Sequence, residues 1–178
     1  MASLSVSSTP SLILQFPISR IRELAARYSF EDDASVMRMG EAARTRGHFT
    51  RPEFVTVCAW KTARSKPLVA ANTEADVQEA TRLALATSSE VLRIQIPMAL
   101  NGVSWGTSSV LLHLAHRDPY PIIDYRALEA LGLAHAPSYT LSLWLAYAAK
   151  CRQLATAAHV DMRTLDRALW QWSKERSP

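Results

Sequence analysis

Apolar positions recur at helical spacing through almost every segment of the chain. Behind Thr50, the residues Phe54, Val57, Cys58 and the stem of Lys61 fall at i, i+3, i+4 and i+7, which is one face of a helix. A long helix starting near Ser138 would align Leu141, Trp144, Leu145 and Ala148, and a last one from Asp161 would align Leu165, Leu169 and Trp172, with the aromatics assigned to the core. Three S/T-x-x-D/E boxes, Ser29 to Asp32, Thr50 to Glu53 and Thr73 to Asp76, mark helix starts, because their side chains satisfy orphaned backbone N–H groups. The run Phe54–Val57 is strand-like in composition, and the cap at Thr50 decides for helix. From Val91 to Leu100 the apolar residues Ile94, Ile96, Met98 and Leu100 alternate while Pro97 interrupts, which predicts a helix that kinks or ends near that proline. The pattern predicts one all-α domain over residues 18–178 behind a loose N-terminal arm, residues 1–17. Short loops fall at Pro119, Pro121, Gly132 and Pro137, with no repeat, low-complexity tract or interior linker.

Composition agrees with a packed single domain: 178 residues, 48% apolar and 20% charged, with 5 Gly and 5 Trp, exclude disordered and fibrous classes. The net charge of +4 is unevenly placed. Residues 20–66 hold ten basic side chains against six acids, whereas residues 67–178 balance at ten and ten. Sixteen of the twenty basic residues are arginine, whose planar fork suits phosphate and buried ion pairs. This admits a polyanionic partner without requiring one, since charge runs are commonly solvated faces. Cys58 and Cys151 lie far apart without CxxC context, indicating neither a disulfide framework nor a zinc site, and both are expected as small buried hydrophobes. No apolar run approaches the roughly 18 residues of a membrane span. The patch Leu12–Leu14 has neither a basic flank nor a small-residue cleavage site, so the expectation is a cytoplasmic protein with no membrane partner. His113 and His116 stand at i, i+3 with Asp118 near, but no further ligand joins them and no metal is assigned.

The most informative segment is residues 99–132. A helix ends, a tight turn forms around Gly102, and an apolar helix runs from about Gly106 to His116. Consecutive N–H groups exposed at a helix N-terminus favour an anion, through unpaired donors and the helix dipole together. Leu100-Asn101-Gly102-Val103-Ser104 resembles the hairpin Leu-Pro-Gly-Val-Gly of the helix-hairpin-helix DNA glycosylase superfamily, the endonuclease III and adenine glycosylase group. Thr107 matches the threonine that opens the following helix, and Tyr120-Pro121-Ile122-Ile123-Asp124 is similar to the loop that ends in the family's aspartate. The resemblance covers about thirty-five of 178 residues, with the helix-hairpin-helix at about 91–117. Lyase-active members carry a lysine eighteen residues before that aspartate, and here the position is Gly106. The aspartate is matched and the lysine is not.

The resemblance implies a duplex DNA partner, with Gly102, Val103 and Ser104 holding a phosphate through backbone amides while Trp105, Gly106 and Thr107 complete the contact. Ser104 in place of the second glycine weakens the match wherever a positive φ is needed. It implies Asp124 as the catalytic carboxylate, stabilising an oxocarbenium-like sugar and activating water at an extruded nucleotide. Without the family lysine the enzymatic expectation is a monofunctional DNA N-glycosylase acting on a damaged or mismatched base. Two distant cysteines cannot hold the four-cysteine iron–sulfur cluster of many members. Hairpins of the family often bind a monovalent cation through carbonyls; no other cofactor is implied.

Each feature has a plainer alternative. Asp124 is placed to N-cap the helix beginning at Tyr125, Gly102 to make an ordinary helix–helix turn, and Trp105 to pack locally. A second cluster, Trp60-Lys61-Thr62-Ala63-Arg64-Ser65-Lys66, closes the basic stretch, where cations in a last turn complement the helix dipole. If Lys61 or Arg64 faces Asp124, it could neutralise the carboxylate, hold a nucleotide phosphate or replace the absent lysine, and Trp60 could stack on a base. Two other functions compete: a non-catalytic DNA-binding module of the same fold, and a helical protein-interaction domain. Oligomeric state is not legible.

Overall fold

A computed structural model describes residues 11–30, 33–133 and 138–176. Among the described residues there is no strand, and the helices are α1 (Ile21–Ala26), α2 (Ala34–Arg46), α3 (Arg51–Lys61), α4 (Lys66–Val69), α5 (Glu74–Ala86), α6 (Glu90–Gln95), α7 (Trp105–Ala115), α8 (Tyr125–Ala130), α9 (Leu141–Ala158) and α10 (Met162–Arg176). The all-α architecture follows from local signals already visible in the chain. Thr50 caps α3, with its own N–H donating to Glu53 Oε2 at 2.9 Å, and Thr73 Oγ1 accepts from Asp76 N at 3.1 Å to start α5. A 3₁₀ turn at Ile96–Ala99 continues α6, as the proline at 97 requires.

Four expectations shift. First, α2 begins behind Asp33 rather than Ser29; Asp32 lies outside the described residues, and Ser29 N instead donates to Gln171 Oε1 at 3.1 Å. Second, residues 11–17 are not a loose arm: Ile13 N and Gln15 N donate to Leu131 and Ala130 carbonyls at 2.9 Å each, and Phe16 stacks on Trp172. Residues 1–10 lie outside the described residues. Third, the long penultimate helix starts at Leu141, capped by Thr140. Fourth, its buried face is Leu143, Trp144, Tyr147, Ala148 and Cys151, rotated from the expected stripe so that Leu141 and Leu145 are only partly buried.

The core divides into two clusters that meet at α7. One gathers α1, α8, α9 and α10 around Trp144, Tyr147 and Leu165, and the other gathers α2, α3 and α5 around Phe49, Phe54 and Val57. Leu112 faces the first and Val110, Leu111 and Leu114 face the second, so α7 is buried nearly all round. Its approach to α2 is so close that a Cβ on Gly40 would lie 2.5 Å from Leu114 Cβ. Both cysteines are buried, and burial pushes the Cys58 thiol up to about 12 and raises that of Cys151 as well.

The positive excess of residues 20–66 is largely consumed inside the protein. Arg46 pairs with Glu53 at 2.8 Å, Arg27 with Glu23 and Glu175, Arg44 donates to the Leu114 carbonyl, and Arg51 donates to the Ala70 and Asn72 carbonyls. Arg46 is thus held in an ion pair within the protein. Among the described residues Arg38, Arg64 and Lys66 keep no such partner.

Buried ionisable groups set an expected pH profile. Burial alone would raise the Asp33 carboxyl, but hydrogen bonds from Arg167 and Arg163 outweigh it and hold the group below its ordinary 3.8. Glu53 is likewise lowered, with the Arg46 hydrogen bond overcoming burial. Burial also lowers the His113 and His116 imidazoles from 6.5, keeping them neutral. In each case the unfolded chain binds the proton more tightly, so the stability is complete at neutral pH and is lost on acidification. The thermal midpoint is expected to start falling as pH drops through about 6.5, from the histidines, and to fall again below about 4, from the carboxylates. A midpoint that is flat from pH 7 to 3 would contradict this assignment.

Candidate active site

Asp124 ends a buried, non-helical strap, Tyr120–Asp124, which crosses between the two core clusters. Its backbone polar groups cannot reach water and are met by side chains from three helices. His113 Nδ1 lies 2.6 Å from the Tyr120 carbonyl, Tyr147 OH donates to the Ile122 carbonyl at 2.8 Å, Ile122 N donates to Asp166 Oδ1 at 3.3 Å, and Ile123 N donates to Ser109 Oγ at 3.0 Å. Tyr120, Ile122 and Ile123 are at most 3% exposed, so the strap has little freedom to shift.

At its end, Asp124 does two things. Its Oδ1 accepts from Ala127 N at 2.8 Å, capping α8, and its Oδ2 accepts from Lys61 Nζ at 2.8 Å. The side chains of the pair are 21% and 18% exposed, enough for a small molecule to reach them. The nearby Tyr139 phenol is pushed up to about 12, by burial first and by the Asp124 charge second. Lys61 is the last residue of α3, placed there because the buried face Phe54–Val57–Cys58 points its stem toward the interior.

The pair lies in a cleft of about 450 Å³ whose walls include Phe30, Trp60, Tyr125, Trp170 and the cations Arg64 and Arg126. Several of these rings already carry a cation over one face. Arg163 lies 5.5 Å from the Trp60 ring centroid, Arg126 5.1 Å from that of Tyr125, and Lys174 5.3 Å from that of Trp170. Trp60 Nε1 is buried and has no hydrogen-bond partner among the described residues. The expected residues Asp124, Lys61, Trp60 and Arg64 thus line one cleft. Gly106 abuts it, since a Cβ there would lie 3.6 Å from Lys61 Cε and 3.5 Å from the Ile123 carbonyl.

The turn before α7 has other engagements. Gly102 has a positive φ of 76°, and a Cβ on it would lie 2.7 Å from Leu68 Cβ, so the turn is pressed onto α4. Of the amides expected to hold phosphate, Val103 N donates to the Leu100 carbonyl at 3.2 Å and Ser104 N to Thr107 Oγ1 at 2.7 Å, which leaves Gly102 N of the three. Thr107 is buried, and Trp105 packs against the first core cluster and is not among the residues that line the cleft. The carbonyls of Leu100, Asn101 and Ser104 each accept one hydrogen bond, from Val103 N, Asn72 Nδ2 and Ser108 N. His116 Nδ1 accepts from Asp118 N, and among the described residues no three His, Cys, Asp or Glu side chains gather for a metal.

Reading the chain alone missed Ser109, Tyr147 and Asp166, which hold the strap, and Phe30 and Trp170, which wall the cleft. Their partners lie far away in sequence, and no local pattern marks them. The chain matches no family model, no curated protein and no solved structure. Among the described residues no helix is long and apolar enough to cross a membrane.

Proposed function

We propose that the protein binds duplex DNA and removes a damaged or mismatched base by hydrolysing its N-glycosidic bond, with Asp124 as the catalytic carboxylate. The observation that carries this reading is a carboxylate fixed by the core at the edge of an aromatic-walled cleft of about 450 Å³, large enough for an extruded nucleoside. In the reaction the C1′–N bond breaks, the base leaves with a proton, and water adds to C1′. A carboxylate beside C1′ stabilises the positive sugar and receives the proton of the attacking water. Lys61 holds the unused side of the carboxylate. Arg64, exposed at the rim and unpaired among the described residues, supplies a phosphate contact, and Gly102 N is available for a second.

The charge of the cleft narrows the base. Its rings already carry Arg163, Arg126 and Lys174, so a cationic alkylated base would meet like charge where it stacks. The expected substrates are neutral lesions. A single-turnover excision assay over duplexes carrying single neutral or cationic bases tests this, with cleavage confined to the neutral set. Preference for 7-methylguanine or 3-methyladenine would overturn the selectivity, and no cleavage of any duplex would overturn the activity.

The Arg64→Glu variant is expected to weaken duplex binding about tenfold and to lower the slope of log K against log salt by about 0.9. Unchanged affinity would remove Arg64 from the interface. A non-catalytic DNA-binding module is the second reading, and one observation favours it: both oxygens of Asp124 already have partners within the protein.

A further inference from the structure

A second cleft, of about 480 Å³, shares no lining residue with the one around Asp124. Gly47 caps α2, Ala86 ends α5 and Ala115 ends α7, and all three line it. The two clefts stand at opposite ends of α7, whose 11 residues span roughly 16 Å. Three arginines line the second one, Arg44 from α2, Arg82 from α5 and Arg117 just after α7, against a single acid, Asp118. Helix C-termini carry partial negative charge, and one contact answers to it: Arg44 donates to the Leu114 carbonyl at 3.1 Å. The fold does not account for the rest of the basic lining. Arg117 is exposed and has no hydrogen bond or ion pair among the described residues. Arg82 pairs there only with Glu79 of its own helix, and with side chains 49% and 62% exposed the pair is weakened by solvent. Asp118 lies 3.8 Å from Arg93, so its charge is already shared. His116 adds a donor. Its Nδ1 accepts from Asp118 N at 2.9 Å, so the neutral ring carries its proton on Nε2, which finds no acceptor among the described residues.

We propose that this cleft binds a phosphate monoester with one apolar face, of about the size of a mononucleotide. Three arginines less one aspartate give the lining a formal charge of +2, with His116 neutral, and a phosphate monoester at neutral pH carries about −1.5 to −2. A carboxylate or a phosphodiester carries one negative charge and would leave a cation unanswered. Converging planar guanidiniums also match phosphate oxygens in pairs, which ammonium groups do not. Leu85, Ala86 and Ala115 supply an apolar wall, and the volume falls in the range of small-molecule sites, well beyond the needs of a bare phosphate ion. The same chemistry belongs to a free mononucleotide and to the phosphorylated end of a nucleic-acid strand, since a terminal phosphate is a monoester and a backbone phosphate is not. With no residue in common with the Asp124 cleft, the site stands or falls independently of base removal.

Calorimetric titration of the full-length protein at low salt, with adenosine monophosphate, inorganic phosphate and adenosine as probes, tests this. The monophosphate is expected to bind at one site, inorganic phosphate more weakly, and adenosine not measurably. Arg117→Gln removes an exposed side chain without a partner among the described residues, so the fold should hold while affinity for the monophosphate falls about tenfold. Adding Arg44→Gln should weaken binding further; if that variant does not fold, Arg117→Gln alone decides. Arg38→Gln takes the same charge from the exposed face of α2, outside both clefts, and should change nothing. Asp118→Asn removes the one acid and should tighten binding severalfold, a response that a merely apolar pocket would not give. The ring signals of His116 should shift in NMR spectra with the monophosphate and stay in place with adenosine. A short single-stranded oligonucleotide with and without a terminal 5′-phosphate separates the sources: tighter binding of the phosphorylated strand than of the monophosphate assigns the site to strand ends, the reverse assigns it to free nucleotides, and both support it. No saturable binding of the monophosphate up to about 1 mM, equal binding of adenosine, or unchanged affinity in Arg117→Gln would each overturn the proposal and leave the arginines as counter-charges to three helix ends.

Discussion

Asp124→Asn is expected to abolish base excision without unfolding the protein. Asparagine is close to aspartate in size and equally suited to cap a helix, so its side-chain oxygen can go on accepting from Ala127 N and α8 keeps its start. What disappears is the negative charge beside C1′ in the transition state. Removal of one well-placed electrostatic partner typically slows a reaction by about 10²–10³-fold, and a comparable loss is expected here in the single-turnover rate. Lys61 loses its ion-pair partner, but the pair is partly solvated, so the stability cost should stay near about 1 kcal/mol. On the proposed reading duplex affinity should hold or rise, since one negative charge is removed beside the cleft. Excision at the wild-type rate would reduce Asp124 to a helix cap and leave the non-catalytic reading standing.

Gly40→Ala gives a prediction whose sign separates two physical effects. Glycine in the middle of a helix is less favourable than alanine by about 1 kcal/mol, so propensity alone makes the change stabilising. Packing says otherwise: the new Cβ would fall 2.5 Å from Leu114 Cβ and 2.6 Å from the Leu114 carbonyl oxygen. Neither atom is the end of a flexible side chain. Relief requires α2 and α7 to separate, which opens the cluster around Val110, Leu111 and Phe54. Overpacking of this kind costs about 1–3 kcal/mol or more, which exceeds the gain from propensity. With about 2–4 °C per kcal/mol for a domain of this size, the thermal midpoint should fall by several degrees, and Gly40→Val should lower it further. A raised midpoint in Gly40→Ala would show that the two helices do not touch as described.

How much of this was legible depended on sequence distance. Thr50, Thr73 and Asp124 cap helices through partners three residues away, so both the signal and its satisfaction lie in one short window. The clustering of Asp124 with Lys61, Trp60 and Arg64 was open to consideration because both segments carried unusual chemistry, although 63 residues separate the ion pair. The supports of the strap were not legible. Ser109 sits in an apolar helix where a small polar residue reads as filler, and Asp166 looks like a surface acid until α10 packs it against the strap, where it meets Ile122 N and Arg163. The charge balance misled for a related reason. Arg44, Arg46 and Arg51 make a basic run in sequence but spend their donors on Leu114, Glu53, Ala70 and Asn72, which only the tertiary fold brings near.

The strap from Tyr120 to Asp124 has a consequence for the timing of motion. Because Ile122 N and Ile123 N donate to side chains of α10 and α7, deep in the packed interior, their amide protons can exchange with solvent only when the helices around them come apart. The carboxylate is then as immobile as the interior itself, and no lid or hinge on the strap can swing it toward a bound duplex. On the proposed reading, the adjustment would fall to the nucleic acid, which would have to kink and unstack, at about a few kcal/mol, to bring a sugar to Asp124. Mismatched or damaged steps unstack most readily, so a site this rigid, if it takes the proposed substrate, would discriminate through the deformability of what it is offered before any base edge is touched.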